Sequence, residues 1–202
     1  ENNALSSNID ISVDSSNCAH IIGFTRSEDF PTVNPFQPSL AGWQDAFATK
    51  LSSSGSYLLY STYLGGYSGE YGRGIILDSN KCAYVVGQTD SNDFPVYNAY
   101  QSSLAGWEDA FISKFSSSGS SLVYSTYLGG SSIEECWGID IDEAYCTYII
   151  GLTISDNFPV KNPYQSTRTG DEEVYLSKLS SSGAELIYST YFGGSGYDLG
   201  WA

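Results

Sequence analysis

The heptapeptide Tyr124-Ser125-Thr126-Tyr127-Leu128-Gly129-Gly130 is written three times in this chain. It reads Tyr60-Ser61-Thr62-Tyr63-Leu64-Gly65-Gly66 upstream and Tyr188-Ser189-Thr190-Tyr191-Phe192-Gly193-Gly194 downstream, at a constant spacing of 64 residues. A fixed period of this kind marks an array of like structural units and takes precedence over any local reading. Outward from the heptapeptide the register persists. Gly23, Gly87 and Gly151 coincide, as do Phe30-Pro31, Phe94-Pro95 and Phe158-Pro159, and Lys50, Lys114 and Lys178. So do the tetrapeptides starting at Ser52, Ser116 and Ser180 and ending at Gly55, Gly119 and Gly183. Three units align without a gap, as 11–74, 75–138 and 139–202. Residues 1–10 fall in the register of 65–74, 129–138 and 193–202 but lack the glycine pair, so they read as a degenerate lead-in.

Each unit reads as four strands. In the second, Ile75–Asp78 is a short apolar strand, Ser79–Lys81 a turn, and Cys82–Gln88 the strand that completes a hairpin. A long loop, 89–108, carries Asp93-Phe94-Pro95. Asp109–Phe115 is a third strand, Ser116–Gly119 a tight turn with glycine at a left-handed position, and Ser121–Leu128 the fourth strand. That last strand has Leu122, Tyr124, Thr126 and Leu128 on one side and Val123, Ser125 and Tyr127 on the other. Neither side is polar. A sheet apolar on both faces needs cover on both, and stacking against neighbouring sheets supplies it.

These segments (Asn92-Asp93-Phe94-Pro95, Gln101, Asp109-Ala110-Phe111, Lys114 and Tyr124–Gly130) resemble the SBBP β-propeller repeat family, named for seven blades. The resemblance covers essentially residues 11–202. It implies an all-β protein of three tandem four-stranded antiparallel blades, an open arc completed by other subunits or by further blades, in a secreted or surface protein without a known activity. Two departures stand out. The first hairpin turn holds Asn17-Cys18, Lys81-Cys82 and Tyr145-Cys146 where the family often has Gly-Asn. The third unit has Asp171-Glu172-Glu173-Val174-Tyr175 where the others have Trp-x-Asp-Ala-Phe.

Composition narrows the function classes. The chain has 202 residues, 23 acidic against 8 basic, and a formal net charge of −15. That balance repels phosphate backbones and anionic lipid, which argues against nucleic-acid partners. No apolar run approaches the ~20 residues of a membrane-spanning helix, so membrane insertion is not expected. The absence of Met, the scarcity of Lys and the abundance of Tyr, Ser and Gly favour a secreted or cell-surface setting. A chain beginning at Glu1 without Met reads as a processed product or an excised piece.

Three blades fall short of the four to eight of a closed propeller and leave two sheet faces uncovered. The expectation is head-to-tail association of copies into a ring or filament, with Ile11, Tyr191, Tyr197, Leu199 and Trp201 as assembly candidates. The alternative is a piece of a larger secreted propeller that binds carbohydrate or a surface protein, with the loop residues Trp43 and Trp107 stacking on ligand.

The remaining chemistry is sparse. His20 is the lone histidine and fills a slot held by Tyr84 and Tyr148, which removes Ser-His-Asp and Cys-His catalysis; no catalytic residue and no enzyme are expected. Cys18, Cys82 and Cys146 share one position of successive units, and Cys136 stands apart at the register of Gly72 and Gly200. They read as small buried residues, with a disulfide within or between subunits as the alternative. No cofactor is expected. Calcium is the most plausible ion, yet Asp14, Asp78 and Asp142 read better as turn formers, and no Asp-x-Asp-x-Asp-Gly loop occurs. Lys50, Lys114 and Lys178 are expected to pair with carboxylates between blades.

Overall fold

The structure, a computed structural model, describes residues 9–198, which form three four-stranded antiparallel sheets. The first contains β1 (Asp10–Val13), β2 (Ala19–Thr25), β3 (Asp45–Leu51) and β4 (Leu58–Leu64). The second contains β5 (Glu70–Leu77), β6 (Ala83–Thr89), β7 (Asp109–Phe115) and β8 (Leu122–Leu128), and the third β9 (Glu134–Ile141), β10 (Thr147–Thr153), β11 (Glu173–Leu179) and β12 (Leu186–Phe192). Each sheet is a meander in chain order. The described chain is all-β, an open set of propeller-like blades.

Strand bounds follow the sequence reading closely for β7 and β8, but β5 begins at Glu70, five residues before the apolar stretch that starts at Ile75. A bulge explains the difference. The β5–β6 register shifts between Gly72 and Gly74, leaving Arg73 as the extra residue. An extra residue reverses the side-chain alternation, so 70–74 does not continue the pattern of 75–77. Trp137 takes the same place in β9, between Cys136 and Gly138.

The sheets stack through two apolar seams. A forward face of the first sheet (Ile22, Ala48, Tyr60, Leu64) packs on a rear face of the second (Ile75, Val85, Phe111, Phe115). The second sheet's own forward face (Val86, Ile112, Tyr124, Leu128) packs in turn on Ile149, Tyr175, Leu179 and Leu186 of the third. Both faces of the middle sheet are therefore interior, and every residue of β6 is buried. This is why the strands lack polar alternation. At about 1.5–3 kcal/mol for each large side chain removed from water, these seams dominate the favourable side of folding.

One contact recurs at each seam. The β3–β4 type turn ends on a glycine with positive φ, 73° at Gly119 and 74° at Gly183. Tyr60 lies directly on Gly119 and Tyr124 on Gly183, so closely that a Cβ at either glycine would run into the ring. The Tyr124 hydroxyl also meets the Thr147 hydroxyl across the seam at 2.7 Å.

The long loops run along the outer edge of each sheet. Val33 and Gln37 bridge to Ser61 and Tyr63 of β4, and Tyr97 and Gln101 do the same to β8. Asn34 holds a left-handed φ of 47°, and its Nδ2 donates to the Leu59 carbonyl. A covered edge is not available for unintended strand pairing. The Gly-Gly links that follow β4 and β8 thread between buried carboxylates. A Cβ at Gly129 would strike Asp109 and Glu134, and one at Gly130 would strike Ser155 and Asn157.

Candidate assembly surfaces

Among the described residues, two faces of the stack have no neighbouring sheet. The first sheet presents its rear face, where Ile11 is 59% exposed and Ile21, Phe47 and Leu51 are partly covered. The aligned Phe111 and Phe115, and Tyr175 and Leu179, are fully buried. The third sheet presents its forward face of Tyr148, Ile150, Leu176, Tyr188 and Phe192. Phe192 is 61% exposed where the aligned Leu64 and Leu128 are 0%. A shallow apolar depression of about 280 Å³, lined by Ile139, Tyr148, Ile150 and Leu176, lies on this face.

The sequence candidates for assembly divide accordingly. Ile11 lies on the open rear face. Tyr191 does not lie on an open face: it is 1% exposed, its hydroxyl donates to the Ser155 carbonyl, and its ring packs on Phe158 toward the second sheet. Strand alternation is the reason, since Tyr188, Thr190 and Phe192 have the opposite parity to Tyr191. Tyr197 is exposed and bridges to Glu172. Leu199 and Trp201 lie outside the described residues. Tyr148, Ile150, Leu176 and Tyr188 were missed; reading β12 by the parity of Phe192 and carrying it across the sheet would have found them.

The repeated lysines also differ from expectation. They pair within a blade, not between blades. Lys50 Nζ lies 2.8 Å from Asp14 Oδ2, Lys114 Nζ 3.2 Å from Asp78 Oδ2, and Lys178 Nζ 2.7 Å from Asp142 Oδ2. The carboxylate sits in the first hairpin turn and reaches over the second strand to the lysine of the third. Its other oxygen closes the turn: Asp14 Oδ1 accepts from the N–H groups of Ser16 and Cys18. The slot between Asp and Lys holds His20, Tyr84 or Tyr148. The Tyr84 hydroxyl meets Lys114 Nζ at 2.6 Å, and the neutral His20 ring is placed to accept from Tyr60 at Nδ1 and donate to Asp14 from Nε2. Burial would raise the Asp14 pKa, but Lys50, the turn N–H groups and His20 outweigh it and hold the carboxyl well below its usual range. Burial, then Lys50, depresses His20 to about 4, so the ring is neutral at ordinary pH. The arrangement ties β1, β2 and β3 together.

A second carboxylate set lies at the opposite ends of the strands. Asp109 Oδ2 accepts from Ala105 N–H at 2.9 Å and Gln101 Nε2 at 2.6 Å, and Glu134 accepts from Gly130 N–H at 2.7 Å and Thr153 Oγ1 at 2.6 Å. Asp45 and Glu70 repeat this at the first seam. Burial raises Asp109 to about 6 and Glu70 to about 7, and it raises Asp45 and Glu134 as well. Among the described residues no group of His, Cys, Asp or Glu is arranged to hold a metal ion.

Trp43 packs over Gly69, with the Arg26 guanidinium 4.6 Å from its ring centroid, whereas Trp107 is 80% exposed. Cys18, Cys82, Cys136 and Cys146 are free thiols, Cys18 and Cys136 buried. Cys136 lies inside the third sheet, where it pairs with Gly151 in register. Among the described residues no helix is long and apolar enough to cross a membrane.

Residues 59–95 match the family model described as SBBP, beta-propeller repeat, which agrees with the resemblance read from the sequence. The matched span starts in β4 and ends just beyond Phe94, so it straddles the first seam. A search among curated proteins finds no match to the chain.

Proposed function

We propose that this chain, which carries the SBBP beta-propeller repeat, is a non-enzymatic structural protein of an extracellular assembly. Its copies associate head to tail, the forward face of the third sheet in one copy against the rear face of the first sheet in the next. One observation carries the reading: the residues on the two open faces are the counterparts of those that build the two internal seams. The third sheet offers Ile150, Leu176, Tyr188 and Phe192 where the second uses Val86, Ile112, Tyr124 and Leu128, and the first offers Ile11, Ile21, Phe47 and Leu51 where the second uses Ile75, Val85, Phe111 and Phe115. Exposed apolar faces of this kind mark contact sites. Because the two faces differ, the contact is heterologous and ends in a closed ring or an open filament. The net charge of −15 repels copies from one another, so association strengthens with added salt.

Sedimentation velocity across a concentration series at moderate and high salt tests the reading. Mass that grows with concentration in steps of one chain supports it. A single-chain species at every concentration and salt contradicts it.

The exposed indole of Trp107 favours a second reading, a propeller face that stacks on sugar rings or on a surface protein. Binding on a glycan array that Trp107→Ala abolishes supports that reading, and absence of binding to any glycan removes its carbohydrate form.

A further inference from the structure

Resting on the head-to-tail reading above, we infer that the joint between copies is keyed by one contact, the Tyr188 ring of one copy lying on the left-handed Gly55 of the next. The occupant of the open faces is then a second copy of this chain in a defined register.

The glycine side is visible in three versions. Gly55, Gly119 and Gly183 end the same turn with φ of 68°, 73° and 74°. Gly119 and Gly183 are buried beneath a tyrosine ring, and a side chain at either would collide with it. Gly55 has the same backbone and is exposed, and among the described residues nothing lies within 4 Å of the place a Cβ would take. The surface that receives a tyrosine in the second and third sheets is built and open in the first.

The tyrosine side is equally complete. Tyr60 and Tyr124 are buried on their glycines, and Tyr188, at the same strand position, is partly exposed. Its ring is already in the working pose. It meets Tyr148 edge-on at 6.3 Å and 70°, as Tyr124 meets Tyr84 at 6.2 Å and 73° and Tyr60 meets His20 at 5.8 Å and 72°. An aromatic side chain held in place before contact loses little conformational freedom on binding. A second pair supports the register. Phe36 of the first loop reaches Phe115 across the internal seam at 6.2 Å; its counterpart Tyr164 is 86% exposed, and the counterpart of Phe115 is Leu51, partly exposed on the open rear face. Continuity with the two internal seams thus names both halves of the joint.

The register makes each end separately removable. Gly55→Asn fills the receiving surface while keeping a residue that tolerates the left-handed region. Tyr188→Ala removes the key. Neither position packs against another sheet within one copy, so both variants retain the wild-type far-ultraviolet circular dichroism and a cooperative urea transition, its midpoint lowered only by the lost Tyr148 contact in Tyr188→Ala and by the left-handed backbone in Gly55→Asn. Measured by sedimentation velocity, each variant alone loses association by at least tenfold in dissociation constant, and Tyr188→Phe keeps it. Mixed in equal amounts, the two variants form a complex of two copies and stop there, because Gly55→Asn keeps a working forward face and Tyr188→Ala a working rear face. Variants that assemble like wild type overturn the register while head-to-tail association stands. A mixture that stays single-chain, or that grows beyond two copies, also overturns it. A wild-type protein that never associates removes the parent reading instead.

Discussion

Replacing Gly119 and Gly55 by alanine isolates what a seam contributes, because the two glycines share a turn and differ in what lies above them. Both have φ near 70°, so alanine at either meets the left-handed cost of about 1–2 kcal/mol. At Gly55 that is the whole effect within one copy, since the new Cβ meets nothing within 4 Å among the described residues. At Gly119 the Cβ enters the Tyr60 ring, which is buried and has nowhere to retreat, and overpacking of a filled core adds about 1–3 kcal/mol. The expected losses are therefore about 1–2 kcal/mol for Gly55→Ala and about 2–5 kcal/mol for Gly119→Ala. Urea unfolding at a concentration low enough to keep copies apart reads both. With a slope of about 2–3 kcal/mol per molar, the Gly119→Ala midpoint falls by roughly 1 M and the Gly55→Ala midpoint by about half that or less. Adding Tyr60→Ala to Gly119→Ala relieves the collision, so the two changes are non-additive by about 1 kcal/mol or more. Equal shifts for the two glycines, or strict additivity with Tyr60→Ala, would refute the claim that Tyr60 rests on Gly119.

Other outcomes follow from the charged groups and the turns. Glu70 and Asp109 bind protons more tightly folded than unfolded, with pKa values raised to about 7 and about 6, chiefly by burial, and Asp45 and Glu134 are shifted the same way. Their contribution is complete below the ordinary carboxylate pKa and is lost as pH rises through about 6–7, so the thermal midpoint is higher at about pH 5 than at pH 8. His20, depressed to about 4, offsets part of this gain as pH falls below about 6.5, and the depressed Asp14 and Asp142 lose their contribution once pH drops below the ordinary carboxylate range; a midpoint that rises steadily from pH 5 to 8 would contradict this assignment. Lys50→Met leaves the buried Asp14 carboxylate without its cation and destabilises by about 3 kcal/mol in urea, more than the exposed-site change Lys161→Met. Lys81 holds a φ of 63°, so Lys81→Gly stabilises by up to about 1 kcal/mol, less whatever its bond to Ser16 Oγ contributes.

Much of this molecule is legible in its repeat. Positions that recur at 64 residues, such as the strand from Tyr124 to Leu128 and the glycine of each Ser-rich turn, occupy equivalent places in three sheets. The start of β5 was not legible, because the bulge at Arg73 breaks the alternation by which a strand is recognised. The choice of Tyr191 over Tyr188 fails for a related reason. With both faces apolar, composition does not say which parity looks outward; only the order in which the sheets stack settles that. The lysines pair within a blade rather than between blades, and spacing along the chain does not reveal that a hairpin turn and a strand two positions away end at the same rim.

Electron cryomicroscopy of the concentrated protein at high salt tests head-to-tail stacking most directly. The account predicts an unbroken succession of four-stranded sheets, about 10 Å apart, in which the step between copies matches the step inside one copy and Tyr188 density lies against the Gly55 turn. Separate three-sheet particles, or copies joined through two like faces, would contradict it.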